Sequence, residues 1–374
     1  MGWSLGTNDA ANAFGTAVAT RVVKYRTSII IIATMVVLGS ILQGADDIDK
    51  LSSISTNNEV SADVQDMENI GVEFEKDADG NYVFDEDGNY VIKSKDNVDQ
   101  KALSTLRWKS GIKAPIIFIC AALTVFIMSY LKFPVSANQA VTGAIIGWGL
   151  FHADYSNPDI LSTNLAEIGK FVSTWLLNPL GAAVISFVIV YVFKKFFEKK
   201  VESLNGYDKI IKIGYLIAGA FASYSIGLNS SANVTALYYD AAYAQTGVAA
   251  NLLTDARLTA TIGGIAIAVG VLTFSKRVMM TVGSSIAEIT QIDGFIVIIA
   301  MALTVVIMGN WMGIPVSTSQ AVVGAVMGAG LTRGVKAVHF GVFKNIAIAW
   351  VSSPTVAGLM AYIIAFCTKG YFGT

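Results

Sequence analysis

Long apolar stretches, separated by short polar segments, dominate the pattern of hydrophobic and polar positions along the chain. After a first stretch at 3–20, nearly continuous apolar runs occupy residues 27–43, 112–131, 161–193, 213–239, 258–274 and 295–310. Runs of about 20 apolar residues are typical of transmembrane helices. The pattern predicts an all-α polytopic membrane protein with broken or re-entrant helices and roughly 10 to 12 membrane segments.

Residues 6–13 (GTNDAANA) place two amides and a carboxylate inside the first apolar stretch. A charge at the centre of a bilayer costs about 2.5–3.5 kcal/mol, so an acid there marks an ion or substrate path by default. Carboxylate and amide oxygens are hard ligands suited to Na⁺, and a carboxylate can alternatively carry a proton. A polar cluster that only joins helices is the structural alternative.

The chain repeats its own pattern in the same order. Residues 227–233 (GLNSSAN) keep the glycine and both asparagines of the first motif 221 positions later, and residues 315–321 match residues 134–140 at an offset of 181. Residues 258–274 match 28–44 at 231, and 350–354 match 175–179 at 175. We interpret residues 1–45 and 108–200 as a first transmembrane repeat and residues 201–374 as a second. The second copy has more apolar sequence before its motif, so either an upstream half-helix precedes the given sequence or the first copy is truncated; we expect the former.

Residues 46–107 form an acidic insertion in the first copy alone. Sixteen of the 27 acidic residues lie between Asp46 and Asp99, against four lysines. A short duplication at 79–83 and 87–91 (DGNYV) carries Asp-Gly turn signals and predicts a small hairpin. A calcium loop is the alternative, but the ligand spacing of an EF-hand is absent.

Basic residues indicate the orientation. Outside residues 46–99, Lys and Arg outnumber acids by 22 to 11, as expected for cytoplasmic loops of a protein in the cytoplasmic membrane. With loop 21–26 inside, the insertion is extracellular, whereas the linker 194–212 and the loop around Arg333 are inside. Each half then crosses an odd number of times, which predicts an inverted-topology repeat. The count assigns one crossing to each Pro-Val-Ser segment; a re-entrant hairpin there, with another span at 161–172, keeps the parity.

The Pro-Val-Ser segments at 134–136 and 315–317 each predict a break followed by a new helix. Proline favours the first turn of a helix, and Ser136 or Ser317 is a good N-cap. The free N–H groups and positive dipole end of such a start bind anions. Two proline-punctuated helices with hydroxyls bonded to their own backbone are the structural alternative.

The composition argues against an enzyme. Only 14% of residues are charged, against about 25% in soluble domains. The sequence has no phosphate-binding loop, HExxH segment or nucleophile elbow, and its two histidines are isolated. Cys120 and Cys367 lie in apolar segments and suggest packing rather than a metal site or disulfide. We also interpret Glu288 as interfacial, and Trp175 and Trp350 as interface anchors or packing residues.

Residues 6–16 (GTNDAANAFGT) resemble the signature of the inorganic phosphate transporter (PiT) family, Gly-Ala-Asn-Asp-Val-Ala-Asn-Ala followed by Phe-Gly-Thr. Residues 134–139 and 315–320 are similar to the family's paired Pro-Val-Ser-Thr-Thr-His segments, and 277–283 and 350–357 also fit. The resemblance covers nearly all of the chain except the insertion. It implies an ion-coupled symporter of phosphate.

The sequence departs from that family at several positions. Ser230 stands where the family usually has aspartate, and Gln139 and Gln320 replace the two histidines. Acidic residues that some relatives carry in the following helices are apolar here, at about Val36 and Ile298. Fewer carboxylates leave the coupling ion open between Na⁺ and H⁺. They also leave room for another tetrahedral oxyanion, such as sulfate.

We therefore expect secondary active transport of inorganic phosphate by symport, with alternating access around a mid-membrane site and no organic cofactor. An anion channel and a non-transporting receptor or scaffold are the alternatives, and a homodimer stays open. The expected substrate contacts are Ser136, Asn138, Gln139, Ser230, Ser231, Ser317, Thr318, Ser319 and Gln320. The expected cation ligands are Asn8, Asp9, Asn12, Asn229 and Asn233, some of them shared with the substrate.

Overall fold

The structure is a computed structural model that describes residues 1–57, 73–74, 92–94, 100–152, 158–196, 204–235, 256–305, 307–308 and 317–372. The α-helices of these ranges are α1 (Gly2–Ala19), α2 (Tyr25–Asn57), α3 (Gln100–Tyr130), α4 (Ala137–His152), α5 (Pro158–Phe196), α6 (Leu204–Thr235), α7 (Ala256–Phe274), α8 (Lys276–Met280), α9 (Gln291–Thr304), α10 (Thr318–Leu331) and α11 (Phe340–Phe372). A π-helical turn (Thr281–Ser285) follows α8, and a 3₁₀ turn (Val335–Ala337) precedes α11.

The described part of the insertion contains two short antiparallel strands, β1 (Glu73–Phe74) and β2 (Ile92–Ser94). The DGNYV duplication between them lies outside the described residues. Helical structure extends into the range assigned to the insertion from both sides, because α2 continues to Asn57 and α3 begins at Gln100.

The expected all-α membrane architecture is confirmed in the described residues. Five helices contain segments long and apolar enough to cross a membrane: Tyr25–Gly44, Ser173–Phe196, Asp208–Ser231, Arg257–Phe274 and Phe340–Thr368. Their outward faces carry exposed Leu, Ile and Val side chains. Helix α1 is central instead, since every residue from Ser4 to Ala17 is buried. Its small residues let neighbours approach closely, and its polar side chains point away from lipid.

Helix packing follows the predicted correspondence between the two halves. A Cβ added at Gly143 or Gly147 would collide with the backbone of α11, and one added at the equivalent Gly324 or Gly328 would collide with the backbone of α5. The colliding backbone positions are also equivalent: Pro354 and Gly358 in α11, Pro179 and Ala183 in α5. Each half therefore packs its glycine-rich helix on the last long helix of the other half.

Equivalent helices run in opposite directions. Asp9 of α1 contacts Ser230 of α6, whereas Phe14, further along α1, packs beside the earlier Gly219. The same reversal relates α2 to α7, where Tyr25 bonds to Ser275 and Ser40 packs beside Gly264. Opposite directions are the geometry expected of copies that face opposite sides of a membrane.

Helices α9 and α10 form a re-entrant hairpin. Each has 14 residues, or about 21 Å of helix, too short for a hydrocarbon core of about 30 Å. Asp293 at the start of α9 lies 3.4 Å from Arg333 just after α10, so both ends lie on one face. The assignment of one crossing to this Pro-Val-Ser segment is therefore wrong, because the start of α9 and the residue after the end of α10 lie on one face. The structure fits the alternative, a re-entrant hairpin with a further helix at residues 161–172, because α5 extends across those residues.

Candidate functional site

The two polar motifs and the two helix starts meet in one cavity. Its lining comes from α1, α6 and the beginnings of α4 and α10: Asp9, Ser136, Ala137, Asn138, Asn229, Ser230, Ser317, Thr318 and Ser319. Except for Asn229, every lining residue has its repeat equivalent in the lining. The cavity therefore lies where the two halves face each other.

Serine caps both helix starts at the cavity, as predicted. The Gln139 backbone N–H donates to Ser136 Oγ at 3.3 Å, and the Gln320 N–H donates to Ser317 Oγ at 3.3 Å. The remaining amides of a first helical turn have no partner within the helix, and the helix dipole is positive there. Two such ends at one cavity attract an anion, although the lining contains no Lys or Arg.

Asp9 is the one residue with an ionisable side chain in this lining. Its Oδ2 accepts a hydrogen bond from Ser230 Oγ at 3.1 Å, and its Oδ1 accepts one from Ser319 Oγ at 3.3 Å. The Asn12 amide lies 3.4 Å from the same Oδ1. Neutral donors alone do not offset the several kcal/mol that it costs to bury a carboxylate. The arrangement therefore favours a bound cation or proton.

Asn12 connects this carboxylate with the tip of the α9–α10 hairpin. Its Nδ2 donates to Thr318 Oγ1 at 3.0 Å and to Ser319 Oγ at 3.1 Å. Its Oδ1 is buried and has no hydrogen-bond partner among the described residues. An unpaired buried acceptor costs about 1–3 kcal/mol. A cation beside Asp9 would satisfy this oxygen.

Other expected site residues lie outside the cavity lining. Asn8 uses its amide on the first helix break: Nδ2 donates to Ser129 Oγ and to the Phe133 carbonyl, and Oδ1 accepts from the Val135 N–H at 3.1 Å. Ser231 is buried and donates to the Leu228 carbonyl at 3.3 Å.

Gln139 and Gln320 are buried in the first turns of α4 and α10. Both Gln139 side-chain polar atoms and the Gln320 Nε2 lack a hydrogen-bond partner among the described residues. Asn233 lies on α6, but its side chain is outside the described part of the structure.

Two side chains that the sequence did not identify as site residues hold the helix breaks in place. Asn178 of α5 donates to the Ser317 carbonyl at 2.8 Å, and Trp350 of α11 donates to the Pro134 carbonyl at 2.9 Å. Each comes from the opposite repeat. Trp350 was expected to be an anchor or packing residue; it is buried and bonds to the first break. The match between residues 175–179 and 350–354 was the feature of the sequence that could have identified these two residues.

Replacing Asn178 by leucine is expected to destabilise the protein by about 0.5–1.5 kcal/mol, because the Ser317 carbonyl loses one of its two donors and keeps only the Ala321 N–H. The start of α10 should also shift, which weakens binding at the cavity. Thermal unfolding and equilibrium binding of labelled phosphate measure the two effects. Ser352→Ala is the control, since this exposed hydroxyl bonds only to its own helix at the Ile348 carbonyl. Equal stability of both variants would contradict the assigned role.

Comparison with known proteins adds an independent finding. The sequence model of the phosphate transporter family matches residues 5–361. A predicted phosphate permease of Thermococcus kodakarensis is 28% identical over 313 residues, which cover 64% of this chain and 74% of that protein. A sulfate permease of Bacillus subtilis is 28% identical over 250 residues, or 67% of this chain and 65% of that protein.

A solved structure described as a sodium-dependent phosphate transporter has a similar fold. The TM-score is 0.66 at 22% sequence identity, and the match covers 99% of this chain and 96% of the other. The likeness therefore extends over nearly the whole length of both chains.

Proposed function

Because the chain belongs to the phosphate transporter family, we propose that it carries inorganic phosphate across the cytoplasmic membrane by symport with Na⁺, or alternatively H⁺. Membership places the chain among transporters rather than enzymes. The observation that carries the proposal is the cavity in which two capped helix starts lie beside a single buried carboxylate. Such a site can hold an anion and a cation together.

The oxyanion contacts would come from both helix starts. Free backbone N–H groups of α4 and α10 point towards the cavity end of each helix, and Ser136, Asn138, Ser317 and Thr318 add neutral side-chain donors around it. Gln139 and Gln320 remain candidates in the first turn of these helices, and Ser230 and Ser231 in the second motif. Neutral donors bind an anion without the tight ion pairing of arginine, which favours release.

The cation would bind at Asp9. Its carboxylate, the unpaired Asn12 oxygen and nearby hydroxyl oxygens are hard ligands of the kind that Na⁺ prefers. Asn8, Asn229 and Asn233 remain candidates from the two motifs. Moving each negative charge inward against an inside-negative potential costs about 2.3 kcal/mol per 100 mV. Co-transported cations offset that cost and shield the anion within the site.

Alternating access would use the two repeats. Opposite directions of α1 and α6, and of α2 and α7, support an inverted-topology repeat around the cavity. In transporters with such repeats, one half moves against the other around a fixed site. The basic loops would face the cytoplasm and the acidic insertion the exterior.

Sulfate is the second candidate substrate, because the chain is also similar to a sulfate permease. The Asp9 carboxylate favours phosphate. Protonated phosphate can donate a hydrogen bond to a carboxylate, whereas sulfate at neutral pH carries no proton and would be repelled.

Uptake of labelled phosphate into proteoliposomes tests the proposal. An inward Na⁺ gradient should drive accumulation above the external concentration, and a tenfold excess of sulfate should leave most of it intact. A pH gradient that drives the same accumulation without Na⁺ would select H⁺ instead. Flux that never exceeds equilibrium would indicate a channel, and binding without flux a receptor; either result would contradict symport.

A further inference from the structure

Three charged side chains meet at the base of the α9–α10 hairpin, at the end away from the cavity. Asp293 is fully buried; its Oδ1 lies 3.4 Å from Lys194 Nζ and its Oδ2 lies 3.4 Å from Arg333 Nε. Asp293 also completes a capping box with Thr290, whose N–H donates to Oδ2 at 3.0 Å. We call Lys194, Asp293 and Arg333 the ion triad.

The ion triad joins the two repeats. Lys194 lies near the end of α5 in the first repeat, and its Nζ also donates to Thr332 Oγ1 at 3.0 Å. Asp293 and Arg333 belong to the hairpin of the second repeat. The hairpin base is thus held on α5 at one end, while Asn178 of the same helix holds the hairpin tip.

Helices α1 and α6 close around the same hairpin base. Thr16 of α1 donates to the Gly294 carbonyl at 3.1 Å, and the Tyr215 hydroxyl of α6 donates to the Gln291 carbonyl at 2.8 Å. Thr16 is about two turns from Asp9 along α1. A path from the cavity to this face between α1 and the hairpin therefore requires the base to separate from its neighbours.

The triad is suited to opening and closing. Both ion pairs are longer than the about 2.7–2.9 Å of strong charge-assisted hydrogen bonds. The Lys194 and Arg333 side chains are 26% and 37% exposed, so water can solvate them when the contact breaks. Partly solvated pairs of this kind contribute modestly to stability. A permanent structural pair would be shorter and better enclosed.

The counterpart of the α9–α10 hairpin in the first repeat, α3 with α4, differs at the matching positions of the sequence. At the offset of 181, Ile112 corresponds to Asp293 and His152 to Arg333. The first repeat therefore has no acid at the position that centres the triad. The α9–α10 hairpin and its counterpart, α3 with α4, have equivalent capped helix starts and glycines, but only the hairpin has the acid that the ion triad needs.

We propose that the ion triad is the closing contact of one face of the transporter, held while the cavity is shut on that side and separated when that side opens. Asp293 is then a positioning residue, which acts through the hairpin that carries Thr318 and Ser319. The inference rests on the proposed alternating access. It adds the contact that sets the equilibrium between the conformation open to one side of the membrane and the conformation open to the other.

A cysteine in the cavity tests this inference. Ala137→Cys, in a Cys367→Ser background, is labelled with a membrane-impermeant maleimide added to either side of the membrane; the background protein measures labelling of the buried Cys120. Asp293→Asn keeps an acceptor for the Thr290 N–H but loses both ion pairs. We expect it to raise the labelling rate from the triad side about tenfold and to lower the rate from the other side.

Further variants distinguish a closing contact from a purely structural role of the ion triad. Lys194→Gln with Arg333→Gln should raise labelling as Asp293→Asn does, and should decide the question if that variant does not fold. Lys194→Arg alone keeps the charge and should leave the labelling rate at the parent value. Lys336→Gln, an exposed cation on the loop after α10, should leave the rate unchanged.

The inference would be overturned if the folded Asp293→Asn protein and the folded double variant were both labelled from each side at the same rate as the parent protein. This readout needs no phosphate. Altered labelling in a protein that takes up no phosphate would therefore count against the proposed function and for the triad. Phosphate uptake by the protein, with unaltered labelling of the triad variants, would count for the proposed function and against the role of the ion triad.

Discussion

Replacing Asp9 by asparagine is expected to abolish accumulation of phosphate against its gradient while the fold persists. Asparagine has nearly the same shape; its carbonyl oxygen can accept a hydrogen bond from one of Ser230 and Ser319, and its amide group can donate to the hydroxyl of the other. It cannot supply the negative charge that holds the coupling cation. Each uncompensated charge at 100 mV costs about 2.3 kcal/mol, or about fiftyfold in accumulation. Uptake of labelled phosphate in proteoliposomes, with thermal unfolding as the check on folding, measures the effect.

Asp208→Asn is the matched control, because this aspartate is exposed near the start of α6 and lies outside the cavity lining. It should transport as the parent does. Undiminished accumulation by a folded Asp9→Asn protein would remove Asp9 from the mechanism and, with it, the assigned cation site.

Replacing Gly147 by alanine is expected to destabilise the protein strongly. A Cβ there would collide with the backbone at Gly358, and backbone cannot move aside as a flexible side chain can. Overpacked cores lose about 1–3 kcal/mol, and this contact lies at the upper end or beyond it. The midpoint of thermal unfolding in detergent should fall by several degrees, with loss of the native α4–α11 contact.

Gly149 offers a control on the same helix, since a Cβ added there meets nothing within 4 Å. Gly149→Ala should leave stability unchanged or raise it by up to about 1 kcal/mol, because alanine favours helix. Similar unfolding midpoints for the two variants would mean that α4 and α11 do not approach as closely as described.

The matched segments of the two halves, taken in order, indicated which helices make equivalent contacts. Gly143 and Gly324 correspond at the offset of 181, and the structure pairs them with equivalent backbone at Pro354 and Pro179. The offsets also indicated which polar segments belong together. The matched motifs meet at the hydrogen bond between Ser230 and Asp9.

The direction of the chain after each break was not predictable from the pattern. A hydropathy profile records that residues 295–310 and 321–331 are apolar, not whether the chain continues or turns back. The contact of Asp293 with Arg333 decides it. That contact joins the first turn of α9 to the segment after α10, and no local sequence rule predicts it.

The roles of individual residues within the motifs were also not predictable from the sequence. Successive helix residues point about 100° apart, so Asn8 and Asp9 face different neighbours although they are adjacent. Asn8 bonds to the first break and Asp9 faces the cavity. Asn178 and Trp350 act on breaks of the opposite repeat, so their partners emerge only once the two repeats are packed together.

The central claim is that both capped helix starts and Asp9 hold phosphate and a cation side by side in one cavity. An experimental density map of the protein with Na⁺ and phosphate tests it most directly. The account predicts a tetrahedral density between Ser136 and Ser317, with a cation within ligand distance of Asp9. Phosphate bound at another place in the protein, with this cavity empty, would contradict it.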